Sequence, residues 1–174
     1  VTVDAAGVSA ANSLTYTTAL AADTIDTITG GAGDDTFTFY ETAISATDVL
    51  SGGAGNDILA IYADGDLTAL TTTSMTKFET LSLTQDATAR AFPITLTAGF
   101  FQGTTGTVAA QTITGIVTLD GSAETLTAMT IATGVGADII TGGSKADTIK
   151  SGTGADVITG CLLYTSDAAD DTLC

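Results

Sequence analysis

The sequence has no histidine and no tryptophan, a single proline, and only four basic residues among 174. Without histidine, the chain lacks the commonest general base and the commonest zinc ligand. Its 20 acidic residues give a net charge of −16, which argues against nucleic-acid binding because phosphate contacts need Lys and Arg. That charge also disfavours anionic membrane surfaces, and no apolar run approaches the roughly 18 residues of a membrane helix. We therefore expect neither nucleic acid as a partner nor membrane insertion.

Catalytic constellations are also scarce. Asp64 and Asp66, in A-D-G-D-L, suggest paired acids or a small metal loop, but the favoured interpretation is a solvated turn. The glutamates of the chain stand isolated in the sequence: Glu41, Glu79 and Glu124. We predict that this fragment is not an enzyme.

The last fourteen residues, CLLYTSDAADDTLC, contain both cysteines, Cys161 and Cys174. One interpretation is a capping segment closed by a disulfide, which an extracellular chain permits. We favour another, because the segment from Cys161 resembles a translated sequencing adapter, which does not belong in fold reasoning. Removing its three aspartates leaves 17 acidic against four basic residues, a net charge of −13 and no cysteine. We expect residues 1–160 to be a fragment at both ends, with native coding sequence continuing past Gly160 when the locus is re-amplified.

Threonine is what the chain has in abundance, with 37 copies, beside 20 glycines. Threonine is branched at Cβ, which favours pleated surfaces and disfavours helix interiors. The composition therefore predicts a β-rich chain.

A nine-residue period organises two blocks of the sequence. From Gly30 the chain reads GGAGDDTFT and from Gly52 it reads GGAGNDILA, and both fit G-G-x-G-x-D-x-U-x, where U is large and apolar. From Thr133 three further units follow head to tail: TGVGADIIT, GGSKADTIK and SGTGADVIT. Residues 21–29 and 43–51 are degenerate units that stay in phase. Chance would give roughly 0.02 matches to the three glycines and the aspartate, so the repeat is genuine.

The spacing has a physical explanation. Glycine permits a tight turn with positive φ, and the D-x-U-x tail is a short strand with one inward side chain. Two turns and two strands then close a coil of about 18 residues, and stacked coils form parallel strands about 4.8 Å apart. The buried column should contain Ile28, Phe37, Leu50, Leu59, Ile140, Ile149 and Ile158.

The pattern resembles the repeats-in-toxin (RTX) family, calcium-binding nonapeptides of secreted bacterial proteins. The resemblance implies an all-β fold, a right-handed parallel β-roll or β-helix solenoid, with Ca²⁺ held by Gly/Asp turns. Stacked carboxylates about 5 Å apart repel by about 3 kcal/mol at an effective dielectric near 20, and a divalent cation reverses that sign. The implied ligand aspartates are Asp26, Asp35, Asp48, Asp57, Asp138, Asp147 and Asp156. The implied loop glycines are Gly31, Gly33, Gly53, Gly55, Gly134, Gly136, Gly152 and Gly154.

The family's pairing implies that Asp35 faces Asp57 and that Asp138 faces Asp156. The first pair is 22 residues apart, because residues 39–42 intervene; we interpret those four as a bulge, and a break there would abolish the site. Asp147 has no acid 18 residues away on either side, and Lys145 takes a glycine position in its loop. The alternative throughout is a calcium-free solenoid whose aspartates bond their own backbone.

Residues 61–132 carry no glycine–aspartate unit, but alternation of apolar residues and threonine predicts strands at 78–84, 94–97, 115–119 and 126–131. The simplest organisation is a continued solenoid; an interposed β-sandwich is the alternative. One ring of Phe100 and Phe101 should be in the core, and the following QGTTG suggests an exposed loop. The predicted organisation is a β-rich lead-in (1–20), a first repeat block (21–60), a threonine-rich solenoid segment (61–132), a second repeat block (133–160) and the adapter-like tail (161–174).

The leading interpretation is a calcium-binding segment of a secreted or cell-surface bacterial protein, structural or adhesive, which resembles surface-layer and adhesin proteins in composition. Calcium ions are the expected partners, together with other copies or cell-surface polysaccharide. The alternative is the carboxy-terminal module of an exported enzyme that leaves the cell by the family's type I route. An ice- or crystal-binding solenoid would need threonines in one register, and their sequence spacing shows none.

Overall fold

The structure is a computed structural model that describes residues 1–18, 25–86, 88–160, 162–165 and 171–173, the last two ranges as backbone alone. Within these residues the chain forms strands and turns and no helix. The described residues therefore contain no helix long and apolar enough to cross a membrane. Every strand pairing is parallel. The prediction of an all-β parallel solenoid is confirmed.

Three sheets wall the solenoid. The long sheet contains β2 (Thr15–Thr17), β4 (Thr36–Tyr40), β6 (Ile58–Ala63), β9 (Thr80–Gln85), β11 (Thr105–Ala109), β13 (Ala128–Ala132), β15 (Asp147–Lys150) and β17 (Leu162–Thr165). The N-terminal sheet contains β1 (Thr2–Asp4), β3 (Thr27–Thr29), β5 (Val49–Ser51) and β8 (Met75–Thr76). The C-terminal sheet contains β7 (Leu70–Thr71), β10 (Phe92–Thr95), β12 (Val117–Asp120), β14 (Ile139–Thr141), β16 (Val157–Gly160) and β18 (Asp171–Leu173).

The chain alternates between the long sheet and one of the two shorter sheets. The coil between β6 and β9 visits both, since β7 pairs with β10 and β8 pairs with β5. The C-terminal sheet therefore begins in the coil where the N-terminal sheet ends. The long sheet runs without a break through both repeat blocks and the segment between them, so the β-sandwich alternative is not what the chain forms.

Coil length varies along the solenoid. The predicted 18-residue coil is found in the second block, where Thr130 pairs with Thr148 and Ile139 with Val157. In the first block Thr36 pairs with Ile58, and that register continues along the strands to Tyr40. The interpretation of residues 39–42 as a bulge is therefore wrong: the first two lengthen β4, where Phe39 is fully buried, and the next two belong to the turn that follows.

The core is the predicted apolar column with aromatic rings added in its middle. All seven column residues are buried, each no more than 2% exposed. Phe100 and Phe101 are both buried, with ring centroids 4.9 Å apart. The prediction of one core ring is wrong because Gly106 leaves room for the second: a Cβ there would overlap the Phe101 ring.

Four strands of the middle segment overlap the predicted ones, namely β9, β10, β12 and β13. A strand that was not predicted, β11, begins within the expected exposed loop, since the last two residues of QGTTG, Thr105 and Gly106, open it. Its sequence, TGTVA, contains one large apolar residue, Val108, which is fully buried. Small residues hid this strand because they weaken the alternation on which strand prediction rests.

Threonines line up on the outer face of the long sheet. Direct neighbours across successive strands are Thr15, Thr36, Ile58, Thr80, Thr107, Thr130 and Thr148. Unequal coil lengths conceal this register in the sequence, so the statement that the threonines share none is wrong for the folded chain. Strands about 4.8 Å apart give this threonine row a regular spacing.

The backbone of the adapter-like tail continues two sheets, with Leu162–Thr165 beside β15 and Asp171–Leu173 beside β16. This pairing does not test the origin of the segment, which remains a prediction. Both cysteines, and with them the alternative disulfide, lie outside the described residues.

Candidate metal centre

The predicted aspartate pairs are stacked in the folded chain. Asp57 Oδ1 accepts a hydrogen bond from the Asp35 amide at 2.7 Å, and Asp156 Oδ1 accepts one from the Asp138 amide at 2.9 Å. The longer coil of the first block thus keeps its aspartates in register. In each pair, a carboxylate of one coil accepts a hydrogen bond from a backbone amide of the preceding coil. We call this series of bonds the carboxylate ladder.

All seven predicted aspartates are buried, and none is more than 6% exposed. Four others also accept from an amide of the preceding coil; the Asp48 carboxylate accepts from Asp26, for example, and that of Asp147 accepts from Met129. Asp26 instead accepts from the ammonium group of Val1. Each aspartate starts or directly precedes a short strand, where the ladder bond ties one coil to the next. The structure therefore brings the predicted aspartates into a common structural position.

The aspartates differ in whether their second carboxylate oxygen, Oδ2, accepts a hydrogen bond. Asp35 Oδ2 accepts from the Gly31 amide and Asp147 Oδ2 from the Gly143 amide, each at 2.7 Å. These two carboxylates have both oxygens bound by backbone amides, as in the calcium-free alternative. Lys145, in the loop of Asp147, is exposed.

Asp57 and Asp138 belong to the other kind. Both residues are fully buried, and their Oδ2 atoms have no hydrogen-bond partner. A buried polar atom without a partner costs about 1–3 kcal/mol, and more when it is charged. Among the residues described, the ion pairs join Val1 to Asp26 and Arg90 to Asp86, so no cationic side chain neutralises either carboxylate. A hard cation fits this arrangement.

The loop glycines meet two different requirements. Gly53 and Gly55 have φ of 114° and 129°, and Gly152 and Gly154 also have positive φ, as predicted. The remaining four, Gly31, Gly33, Gly134 and Gly136, are needed because a Cβ at each would overlap atoms of the preceding coil, such as the Asn12 carbonyl beside Gly33. Side chains are therefore excluded at these glycine positions, where backbone carbonyls of the preceding coil lie close by.

Backbone carbonyls would have to supply most ligands to an ion. Within residues 1–18, 25–86 and 88–160, no three acidic, cysteine or histidine side chains form a group that could hold a metal. Calcium accepts this donor set, since it takes six to eight oxygen ligands, carbonyls included, in flexible geometry.

Comparison with known proteins agrees with this donor set. A family model described as the RTX calcium-binding nonapeptide repeat matches the chain in four copies, within residues 21–39, 45–60 and 133–160. The chain carries RTX calcium-binding repeats. No curated protein and no solved structure matches it. The RTX repeats imply Ca²⁺ binding, and the residues that fit the ion best are Asp57 and Asp138 with the carbonyls of their loops.

Sequence reasoning missed that glutamates outside the RTX repeats share the ladder role. Glu79 Oε2 accepts from the Asp57 amide at 2.6 Å, and Glu124 Oε1 accepts from the Phe101 amide at 3.3 Å. Glu41 does not share this role, because its Oε2 accepts from the Asp64 amide of the following coil, at 3.3 Å. The distance from Asp57 to Glu79 is 22 residues, the same as from Asp35 to Asp57, and this repeated interval was a signal available in the sequence.

Burial raises the pKa of several of these carboxyl groups. The pKa of Asp57 rises from 3.8 to about 6, mainly through burial and further through the carboxylates of Glu79, Asp35 and Asp34, while the Asp35 amide opposes the rise. Burial likewise raises the pKa of Asp138 and Asp147. A rise from 3.8 to about 6 corresponds to about 3 kcal/mol that the charged form costs the fold.

Because these carboxyl groups are buried, we predict that acidification changes the stability of the fold in opposite directions with and without calcium. In chelator, Asp57 binds a proton more tightly in the folded chain than in the unfolded chain, so its contribution to stability is fully present below about pH 4 and is lost as the pH rises through about 6. Acidification from about pH 7 to pH 5 should therefore increase stability in chelator. In saturating calcium the same change should decrease it, because protons compete with the ion for the carboxylates. The residual β-sheet signal in circular dichroism measures the response in chelator, and denaturant unfolding at both pH values measures it in saturating calcium. The same sign in both buffers would contradict the prediction.

Proposed function

We propose that the chain is a structural or adhesive segment of a secreted or cell-surface bacterial protein, folding on extracellular calcium. The observation that carries the proposal is the long sheet, which passes from the first repeat block through residues 61–132 into the second block. A separate catalytic or ligand-binding unit would interrupt that sheet. The segment is therefore a continuous β-solenoid whose rigidity depends on its calcium sites.

The outer face of the long sheet is the surface that would make contacts. Its threonine row is uncharged in a chain whose net charge is −16, so acidic polysaccharide or another acidic copy meets less repulsion there. Hydroxyl groups at a repeating spacing suit a partner that also repeats. This favours cell-surface polysaccharide or further copies of the chain over a single small ligand.

Binding to insoluble cell-wall polysaccharide, measured by co-sedimentation in calcium, tests the proposal. Thr80→Lys and Thr107→Lys place long charged side chains in the threonine row, and each should reduce binding severalfold by covering adjacent hydroxyls. Thr118→Lys on the C-terminal sheet is the matched control and should leave binding unchanged. Equal binding by all three variants, or none by the unaltered chain, would contradict adhesion through this face; sedimentation velocity reports self-association separately.

The export module of an upstream enzyme is the alternative function, and it shares this fold. The neighbouring coding sequence distinguishes the two, because a long threonine-rich repeat architecture favours the structural role and an upstream catalytic domain favours the export role. In either case we propose no catalysis within this segment. The threonine row also gives the crystal- or ice-binding function the register that it requires, and thermal hysteresis of the calcium-loaded chain would be its sign.

A further inference from the structure

The carboxylate ladder of the first repeat block continues one step beyond the repeats. Asp57 accepts from the Asp35 amide, and Glu79 accepts from the Asp57 amide at 2.6 Å. Glu79 lies outside the residues that match the repeat, and a glutamate here reaches the amide that an aspartate reaches one coil earlier. By position in the coil, Glu79 takes the place of the next repeat aspartate.

A short turn replaces the glycine loop in this coil. The Gly30 amide bonds the Ser51 carbonyl, and the Gly52 amide bonds the Thr76 carbonyl in the equivalent position of the next coil. Lys77 therefore occupies the place of a loop glycine, and its φ of 61° is the only positive value of a residue other than glycine in the described chain. The chain thus adopts at Lys77 a left-handed conformation that side chains disfavour.

Oxygen atoms converge at this turn. A Cβ at Gly52 would contact both the Lys77 carbonyl oxygen and Asp57 Oδ2, so both oxygens lie against the same glycine. Asp57 Oδ2 is buried and has no hydrogen-bond partner. At the equivalent point one coil earlier, the Gly31 amide satisfies Asp35 Oδ2, so only the later loop has a free carboxylate oxygen.

A groove open to solvent lies beside Glu79. The residues that line it include Gly55, Asn56, Glu79, Gln102, Gly103 and Thr104. Glu79 is the one acid in the lining, which contains no basic side chain. Glu79 is half-buried. Two carboxylates and a backbone carbonyl are donors that calcium accepts.

We propose that Glu79 completes a calcium site with Asp57 and the Lys77 carbonyl, so that the first repeat block ends on a carboxylate from outside the repeats. The inference rests on the calcium binding of the RTX repeats and adds a ligand that the repeat pattern does not contain. The turn at Lys77 then serves a purpose, since it directs a backbone carbonyl towards Asp57.

Calorimetric titration of the whole chain with calcium chloride tests the proposal. Glu79→Gln keeps an oxygen acceptor for the Asp57 amide but removes the charge, so the ladder bond can persist while ligation weakens. We expect one class of sites to lose affinity by about tenfold, the lower end of what removing a supporting group costs a metal site. Circular dichroism at saturating calcium checks that the variant folds.

Two controls separate ligation from other effects. Asp34→Asn removes one exposed charge beside the same loop, where Asp34 accepts from the Asn56 amide. Glu124→Gln removes another buried ladder carboxylate from outside the matched repeats, one that accepts from the Phe101 amide. Both should retain the affinity of the unaltered chain. If Glu79→Gln binds calcium like the unaltered chain, or if Asp34→Asn weakens binding equally, Glu79 is not a ligand. An unaltered chain that binds no calcium would instead overturn the proposed function.

Discussion

Removal of calcium should abolish most of the β-sheet signal of this chain in far-ultraviolet circular dichroism, and about 1 mM calcium should restore it. The reason is the burial of seven repeat aspartates in a chain with four basic residues. Two of these carboxylates, Asp57 and Asp138, retain a buried oxygen with no partner. The chain alone can neither solvate nor neutralise them, and an unfolded chain avoids the cost by exposing them to water.

The expected size of the effect is comparable with the stability of a domain. Extracellular calcium modules bind at about 0.1–1 mM, and an independent site with a dissociation constant of 0.1 mM adds about 1.4 kcal/mol at 1 mM calcium. A few such sites approach the total of about 5–15 kcal/mol that holds a typical domain folded. Export as an unfolded chain from a cytosol poor in calcium would be consistent with this dependence.

Magnesium is the control ion for this experiment. It demands a near-ideal octahedron and gives up its water reluctantly, whereas the loops offer carbonyls in the irregular arrangement of a turn. Magnesium at the same concentration should restore little of the signal, and residues 1–160 alone should behave as the whole chain does. Identical spectra in calcium and in chelator would refute the prediction.

The periodic features of the fold were predictable from sequence. Each repeat places one large apolar residue inward, so the column from Ile28 to Ile158 followed from the nine-residue period, and all its members are buried. Stacking of Asp138 on Asp156 followed in the same way, since their coil has the 18 residues that two repeats supply. Sequence reasoning succeeds here because each coil repeats the contacts of its neighbour.

Features that depend on unequal coils could not be predicted. The threonine row is formed by residues 18 to 27 positions apart along the chain, so no period reveals it. The insertion of Phe101 depends on the missing side chain of Gly106 in the next strand, a contact that only the register shows. Whether a carboxylate keeps a free oxygen depends on the direction of one loop amide, which the repeat pattern leaves open.

Substitution of Asp138 should weaken calcium binding far more than substitution of Asp147, although both occupy the same position of their repeats. Asp138 stacks on Asp156, and its Oδ2 has no hydrogen-bond partner. In Asp147, by contrast, both carboxylate oxygens accept hydrogen bonds, from the amides of Met129 and Gly143. Asp138→Ala removes charge and a donor atom from the ion together. We expect it to reduce calcium affinity by about tenfold or more, and Asp156→Ala to act in the same direction.

Asp147→Ala should instead reduce stability with little change in affinity. It leaves two buried amides without an acceptor, at about 1–3 kcal/mol each, and this cost is the same whether calcium is present or not. Calorimetric titration gives the affinity of each variant, and urea unfolding at two calcium concentrations gives the part of its stability that depends on the ion. That part should shrink in Asp138→Ala and persist in Asp147→Ala. Equal losses of affinity would mean that the amides bound to Asp147 give way to calcium, and that the free oxygen of Asp138 does not distinguish a ligand from a structural carboxylate.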